Sequence, residues 1–322
     1  MKIIRGLRNL AEKPKNAVVT IGNFDGAHVG HQEIFRRVVA KASEIDGTPI
    51  VYTFDPHPLK ILAPEQNLNL LTTFKQKMEF IQASGIEMVI CADFTRDFAR
   101  MHPRDFAVKI YKALSMDSVF VGTDYTFGRQ KAGGIDYLKK MGDELGFRLY
   151  VVEPVMVDGE RVSSTAIREY LYGGEVGKAS KLLGRFYAIA GKVVSGYKRG
   201  KAIGFPTANL ETPYDVIPAV GVYAIIARLD QGEWYEGVVN IGYNPTFNRD
   251  DFIVEAHLLN LDKDIYNKEI EVFFVDRLRD EKSFESVEEL KSGIAHDIER
   301  AKEVLIQTRN NPFVIDPRSY VK

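Results

Sequence analysis

The sequence predicts an α/β chain: a doubly wound parallel sheet, then a small antiparallel β-barrel with a C-terminal helix. Three observations predict it. In the first half, short β-branched runs alternate with helix-period stretches long enough to serve as crossovers. After about residue 186, strand-like runs follow one another with turns and no helices between them. One long amphipathic stretch then closes the pattern.

The early strand runs are AVVTI (17–21), IVYTF (50–54), EMVIC (87–91), SVFVG (118–122) and RLYVVEP (148–154). After the first of these, HQEIFRRVVAKASEI puts Ile34, Phe35, Val38, Val39, Ala42 and Ile45 on one stripe, as in a helix buried along one face. Comparable stretches occupy 73–84, 104–114 and 134–146. The later runs are YAIAGKVVSG, GVYAIIARL, WYEGVVNIG, FIVEAHLL and EIEVFFVDRL, with turn signals at Asp230-Gln231-Gly232 and Asn244-Pro245. Over 285–307, Val287, Leu290, Ile294, Ile298, Ala301 and Leu305 form the apolar face of the closing helix. The texture changes near LLGRFYA (182–188) without a Gly/Ser linker. The expected domains are therefore 1–185 and 186–310, with 311–322 as a docked or loose tail.

A length of 322 residues suits about two domains. Hydrophobic residues make up 45% and charged residues 27%, a balance that can bury a core. The formal net charge of −1, with no long basic run, disfavours nucleic acid or a membrane surface as partner. Cys91 is the only cysteine, so no intrachain disulfide can form, and it reads as a core residue of IEMVICADF. MKIIRGLRNL lacks the apolar centre of a signal peptide, and no run of about 18 apolar residues could span a membrane. A soluble, reducing, cytoplasmic setting is expected.

IGNFDGAHVGHQ (21–32) holds two of the six histidines and joins the first strand to the first helix. It therefore lies at the carboxyl end of a parallel strand, where open α/β sheets bind ligands. Gly22, Gly26 and Gly30 let backbone approach a phosphate. His28 and His31 flank a helix start, where unpaired N–H groups and the helix dipole favour an anion. A metal is disfavoured, because nothing adjacent completes a ligand set. A capping turn with incidental histidines is the plain alternative. The preferred reading is phosphate binding, with imidazoles donating to oxygens that gain charge in a transition state.

The segment resembles the HxGH motif of the nucleotidyltransferase superfamily, which implies a Rossmann-like nucleotidyltransferase domain. In that family both histidines contact a nucleotide triphosphate. The resemblance implies ATP contacts at Gly22, Asn23, Phe24, Asp25 and Gly30. RVSSTAIREYL (161–171) resembles the superfamily's ISSTxIR motif. It implies Ser163, Ser164 and Thr165 as hydroxyl donors and Arg168 as the planar fork that meets phosphate oxygens. By itself SSTAIRE is also a good N-cap followed by a helix. TFDPHP (53–58), LLTTFKQK (70–77) and VGTDYTFGRQKAGG (121–134) resemble the FMN adenylyltransferase module of bacterial FAD synthetases. That module implies Asp124 holding adenosine and Gly128 opening a flexible loop. It also implies Phe54, Pro56 and Pro58 walling an isoalloxazine ring. His57 reads equally well as a site residue or as a turn residue held by Asp55. Gly133-Gly134 departs from the family, which often carries an acidic residue there.

GYKRGKAIGFPTANL (196–210) is the most specific segment. Gly196, Gly200 and Gly204 suit backbone approach to phosphates. Thr207 and Asn209, two apart, share a face in an extended segment, where a hydroxyl and an amide oxygen suit Mg²⁺. An ordinary strand with Thr and Asn facing solvent is the plain alternative. The block resembles the riboflavin kinase signature, and the resemblance continues through GVYAI (221–225), GVVNIGYNPTF (237–247), VEAHLL (254–259), Leu278-Arg279 and FESVEEL (284–290). It implies ATP contacts at Gly196, Gly200, Lys201, Gly204 and Pro206, metal binding by Thr207 and Asn209, Glu255 as the catalytic base, and Arg279 near the flavin. Lys201 stands where the family often has arginine, which keeps the charge but loses the bidentate fork. His257 shares a strand face with Glu255 and supports the site or merely packs.

The implied protein makes flavin cofactors from riboflavin, FMN and ATP, with Mg²⁺ serving both steps. Two rivals stand beside it: a kinase whose adenylyltransferase half is inactive, and a flavin- or nucleotide-sensing regulator.

Overall fold

The computed structural model describes residues 1–195, 203–230, 232–243, 252–308 and 317–320. They form two compact units, Met1–Val162 and Ser163–Lys322.

The first unit is built on six strands: β1 (Lys2–Arg5), β2 (Ala17–Ile21), β3 (Pro49–Phe54), β4 (Met88–Ala92), β5 (Met116–Gly122) and β6 (Arg148–Val152). All pair in parallel, in the order β1-β4-β3-β2-β5-β6. The crossovers carry α1 (Val29–Glu44), α2 (Pro58–Leu62), α3 (Phe74–Ala83), α4 (Arg96–Ala99), α5 (Pro103–Leu114) and α6 (Ile135–Leu145). Neighbouring strand residues feed opposite faces, as the pleat requires. Val18, Val51 and Val89 pack with Phe35 and Val38 of α1 and Ile81 of α3. Val19, Ile50, Ile90 and Val121 pack with Phe106 and Ile110 of α5 and Leu138 of α6. Apolar burial on both faces explains why β2 and β4 read as continuous hydrophobic runs, and Cys91 lies buried in one of them.

The expected strands and long helices appear with ends shifted by a residue or two. The edge strand β1, the short helices α2 and α4 and a two-stranded hairpin at the end of the unit are additions. β1 has four residues, none of them buried, so its sequence carries no burial pattern.

A short hairpin, β7 (Met156–Val157) with β8 (Glu160–Arg161), ends the first unit. The second begins with α7 (Ser164–Tyr172) and α8 (Val176–Leu183). Six antiparallel strands follow: β9 (Tyr187–Val194), β10 (Ala208–Glu211), β11 (Gly221–Leu229), β12 (Glu233–Tyr243), β13 (Phe252–Leu258) and β14 (Glu269–Arg279). They close into a barrel in the order β10-β13-β12-β11-β14-β9. Leu171 O of α7 accepts from Ala219 N, which ties the helix pair to the approach of β11.

β11 is buried on both sides. Val222, Ala224 and Ile226 meet Ile298, Ala301 and Leu305 of the closing helix α9 (Val287–Thr308). The opposite set, Tyr223, Ile225 and Ala227, is wholly buried, with Tyr223 set edge-on to Phe274 of β14 at 5.5 Å. Val287, expected on the apolar stripe of α9, is half exposed, because the helix reaches the barrel core only from Ile294 onward. Asp297 of α9 is buried and accepts from the Arg279 guanidinium at 2.8–3.1 Å through both oxygens. In the tail, Arg318 pairs with Glu236 of β12 at 3.1 Å, so its described part is docked. Asn244-Pro245 and Gln231 lie outside the described residues.

Asp297→Ala strands a largely buried guanidinium. It should cost about 3 kcal/mol of stability, read as an earlier midpoint in urea unfolding.

Candidate active sites

β2 ends between β3 and β5, where successive crossovers depart to opposite sides and open a crevice at the carboxyl ends of the strands. The turn after it is strained. Phe24 (φ 54), Gly26 (φ 79) and Ala27 (φ 40) are left-handed, a conformation that bulky residues hold only when their surroundings impose it. Asp25 supplies that constraint. Its buried carboxylate accepts from Leu71 N at 3.0 Å and from Thr72 N at 3.3 Å. The Thr72 hydroxyl in turn accepts from Gly26 N at 3.3 Å.

This turn delivers the histidines to the start of α1. His28 is the N-cap, and its Nδ1 accepts from His31 N at 3.3 Å, so Nε2 is the ring's donor. The two rings stack with centroids 3.5 Å apart. Phe24, buried against Phe35, holds the His31 ring edge-on at 5.2 Å. Gly30 has a packing reason of its own, because a Cβ there would lie 3.2 Å from the His28 ring.

Beside the turn lies a cavity of about 1170 Å³. Gly22, Asn23, Phe54, Pro58, Asp124 and Gly128 line it. Phe24, Asp25, His28, Gly30, His31 and Pro56 are not on its lining. Phe54 stands edge-on to Phe94 and Phe98 at 5.4 and 5.8 Å, and Phe106 and Phe127 extend the apolar wall. Arg96, Arg100, Arg129 and Lys131 add positive charge to the lining. Sequence reasoning missed most of this wall. The spacing of Phe94 and Phe98 in FTRDFARM was the available signal. His57 caps α2, its Nδ1 accepting from Leu59 N at 3.2 Å, while Asp55 pairs with Arg5 of β1 at 2.6 Å. Asp124 pairs with Arg161 of β8 at 2.9 Å. The loop opened by Gly128 is closed at its base by an antiparallel bridge between Phe127 and Gly133, and a Cβ at Gly133 would strike the Phe127 ring.

Ser163 is the N-cap of α7, accepting from Ala166 N at 3.1 Å, and Ser164, Thr165 and Arg168 lie on that helix in the second unit.

On the barrel, Asn209 of β10 is the cross-strand partner of Glu255 on β13, and Asn240 of β12 flanks Glu255 from the other side. Directly opposed residues share a sheet face. The alternate positions Val254, Ala256 and Leu258 are buried, so Asn209, Glu255 and Asn240 share the opposite, outer face. Thr207 is two residues from Asn209. Gly204 is left-handed (φ 93). His257 Nδ1 lies 2.8 Å from Pro206 O, and its ring stands edge-on to Phe205, so it holds the FPTAN segment against β13. Arg279 is bound to Asp297 and donates to Asp280 O, with its guanidinium 5.6 Å from the centre of the Phe284 ring. Gly196, Gly200 and Lys201 lie outside the described residues. Among the described residues, no cluster of three His, Cys, Asp or Glu side chains could hold a metal. None of their helices is long and apolar enough to cross a membrane.

Residues 10–166 match the FAD synthetase family and residues 183–305 the riboflavin kinase family. A bifunctional riboflavin kinase/FMN adenylyltransferase of Buchnera aphidicola is 35% identical, over 92% of this chain and 96% of its own. The protein of that description from Escherichia coli K12 is 37% identical, over 94% and 97%. A solved structure from Streptococcus pneumoniae, described as a macrolide-efflux protein, is 30% identical. It matches with a TM-score of 0.86 over 96% of this chain and 99% of that one.

Asp25→Ala removes the anchor of the strained turn. It should destabilise the first unit by about 2 kcal/mol, and calorimetry of the full chain should show the loss.

Proposed function

This chain belongs to the family of bifunctional riboflavin kinase/FMN adenylyltransferases, and we propose how its residues divide the two activities. The barrel unit transfers the γ-phosphate of ATP to riboflavin, giving FMN and ADP. The parallel-sheet unit joins FMN to the AMP part of a second ATP, giving FAD and pyrophosphate. In terms of activity the limits are 1–185 for the transferase and 186–310 for the kinase, with 311–322 as the tail. Ser163, Ser164, Thr165 and Arg168 go to the transferase by their motif. The substrates are small molecules, and the setting is cytoplasmic.

The observation that carries the kinase reading is the pairing of Asn209 with Glu255 on one outer face. A primary ribityl hydroxyl is a poor nucleophile. Glu255 takes its proton as the oxygen bonds to the γ-phosphorus, the bond to the bridging oxygen breaks, and ADP leaves. Thr207 and Asn209 offer neutral oxygen donors beside that carboxylate, a hard set that fits Mg²⁺. Bound there with ATP, Mg²⁺ neutralises charge on the transferred group. By the family resemblance, ATP contacts in the kinase fall to Gly204 and Pro206, together with Gly196, Gly200 and Lys201. Arg279 acts near the flavin through the strand end it braces.

In the transferase, an FMN phosphate oxygen bonds to the α-phosphorus of ATP, and pyrophosphate leaves. That nucleophile is already ionised and needs no base. His28, His31 and Arg168 stabilise charge on the phosphates, and Ser163, Ser164 and Thr165 orient them. Gly22, Asn23, Phe24, Asp25 and Gly30 form the phosphate turn. Asp124 takes adenosine and Gly128 opens its loop. By the resemblance Phe54, Pro56 and Pro58 wall the flavin; of these, Phe54 and Pro58 line the cavity.

Riboflavin, ATP and Mg²⁺ incubated with the chain should yield FAD on separation of the flavins. FMN alone would indicate an inactive transferase, and unchanged riboflavin a sensor. His28→Ala should cut FAD formation by about 10²- to 10³-fold while FMN formation continues; equal loss of both argues against separate sites. Glu255→Ala should cut FMN formation by about 10²- to 10⁴-fold and still convert supplied FMN to FAD. Robust FMN production by that variant removes Glu255 as the base.

A further inference from the structure

Lys77 of α3 sends its ammonium toward three oxygens, none of them a carboxylate. Nζ lies 3.3 Å from Asn23 O, 3.4 Å from Thr53 Oγ1 and 3.5 Å from Phe54 O. The Thr53 hydroxyl, fully buried, donates to the same Asn23 oxygen at 3.3 Å. One cation and one hydroxyl thus join the turn after β2 to the end of β3. Asn23 and Phe54 line the large cavity, and Lys77 and Thr53 do not. Lys77 therefore stands behind the wall.

Packing alone does not account for an ammonium at this position. Burial pushes its pKa below the ordinary lysine value, so the charge is held at a desolvation cost. A methionine of similar length would fill the space without that cost. What the ammonium adds is direction: it draws two carbonyls from separate loops to one point. One turn earlier on the same helix, Phe74 carries the Arg5 guanidinium 4.1 Å from its ring centre, and Arg5 pairs with Asp55, next to Phe54. α3 therefore braces the end of β3 at two positions.

We propose that Lys77 is a positioning residue for adenylyl transfer, one that fixes the distance between the phosphate turn at Asn23 and the flavin wall at Phe54. The inference rests on the transferase reading above. FMN and ATP must meet with the attacking oxygen in line, and a misplacement of about 1 Å can cost 10²-fold in rate. Through Asn23 and Phe54, Lys77 sets the separation of the two substrate halves without touching either.

The test is Lys77→Met in the full chain, with Thr53→Val as a second variant that removes the bridging hydroxyl at nearly constant volume. For Lys77→Met, kcat/KM for FAD formation from FMN and ATP should fall by about 10- to 100-fold. The fall should appear in kcat as well as in the KM for FMN, with weaker FMN binding by flavin fluorescence. The riboflavin kinase rate should stay unchanged and the melting temperature unchanged or higher. Thr53→Val should move the same quantities in the same direction by less. Full adenylylation by Lys77→Met overturns the proposal, as does a loss of FAD formation matched by a drop in melting temperature and in kinase rate. A wild-type chain that makes no FAD from FMN and ATP overturns the transferase reading itself, and the proposal with it.

Discussion

The buried carboxylate of Asp25, accepting from the backbone of Leu71 and Thr72, is what lets the chain turn left-handed at the end of β2. A left-handed non-glycine residue costs on the order of 1–2 kcal/mol, and this turn contains two, Phe24 and Ala27. Without an anchor such a turn relaxes, and the start of α1 moves with it. The stacked His28 and His31 rings, the Phe24 ring that steadies them and the placement of Asn23 all follow from that local constraint.

The barrel solves a different problem. The face that carries Glu255 depends on register, because a one-residue slip of β13 against β10 would carry Glu255 into the core and bring a buried apolar residue outward. Closure of the barrel and the alternating burial of Val254, Ala256 and Leu258 hold the register. His257 adds a local clamp by bonding to Pro206 O, so the segment before Thr207 lies against the strand that carries Glu255. Two candidate sites of unlike design thus occur in one chain: a strained turn on a parallel sheet, and a register-dependent pair on an antiparallel one.

Much of this is legible before folding. Parallel strands covered on both faces write themselves as apolar runs, and helices buried on one face as stripes, so β2 to β6 and the long helices can be read directly. β1 cannot, because a four-residue exposed edge has neither pattern. α2 and α4 are too short to show a period. The HxGH and GFPTAN segments are legible because their chemistry sits in contiguous residues. The aromatic wall around Phe54 is legible only in part: Phe94 and Phe98 lie four apart in FTRDFARM, but Phe106 and Phe127 come from a separate helix and loop.

Local periodicity and contiguous motifs are enough to specify the two architectures, their order, the family resemblance and the residue types at each candidate site, and all of these can be read along the chain. The folded chain is needed to show that Asp25 anchors a turn on Thr72, that Asn209 faces Glu255, that Arg279 is bound to Asp297, and that Lys77 reaches Asn23 and Phe54. Each of these joins residues from separate elements. The partner of a buried polar group is set by which loops the packed sheet or barrel brings within hydrogen-bond reach, and spacing along the chain does not encode that distance.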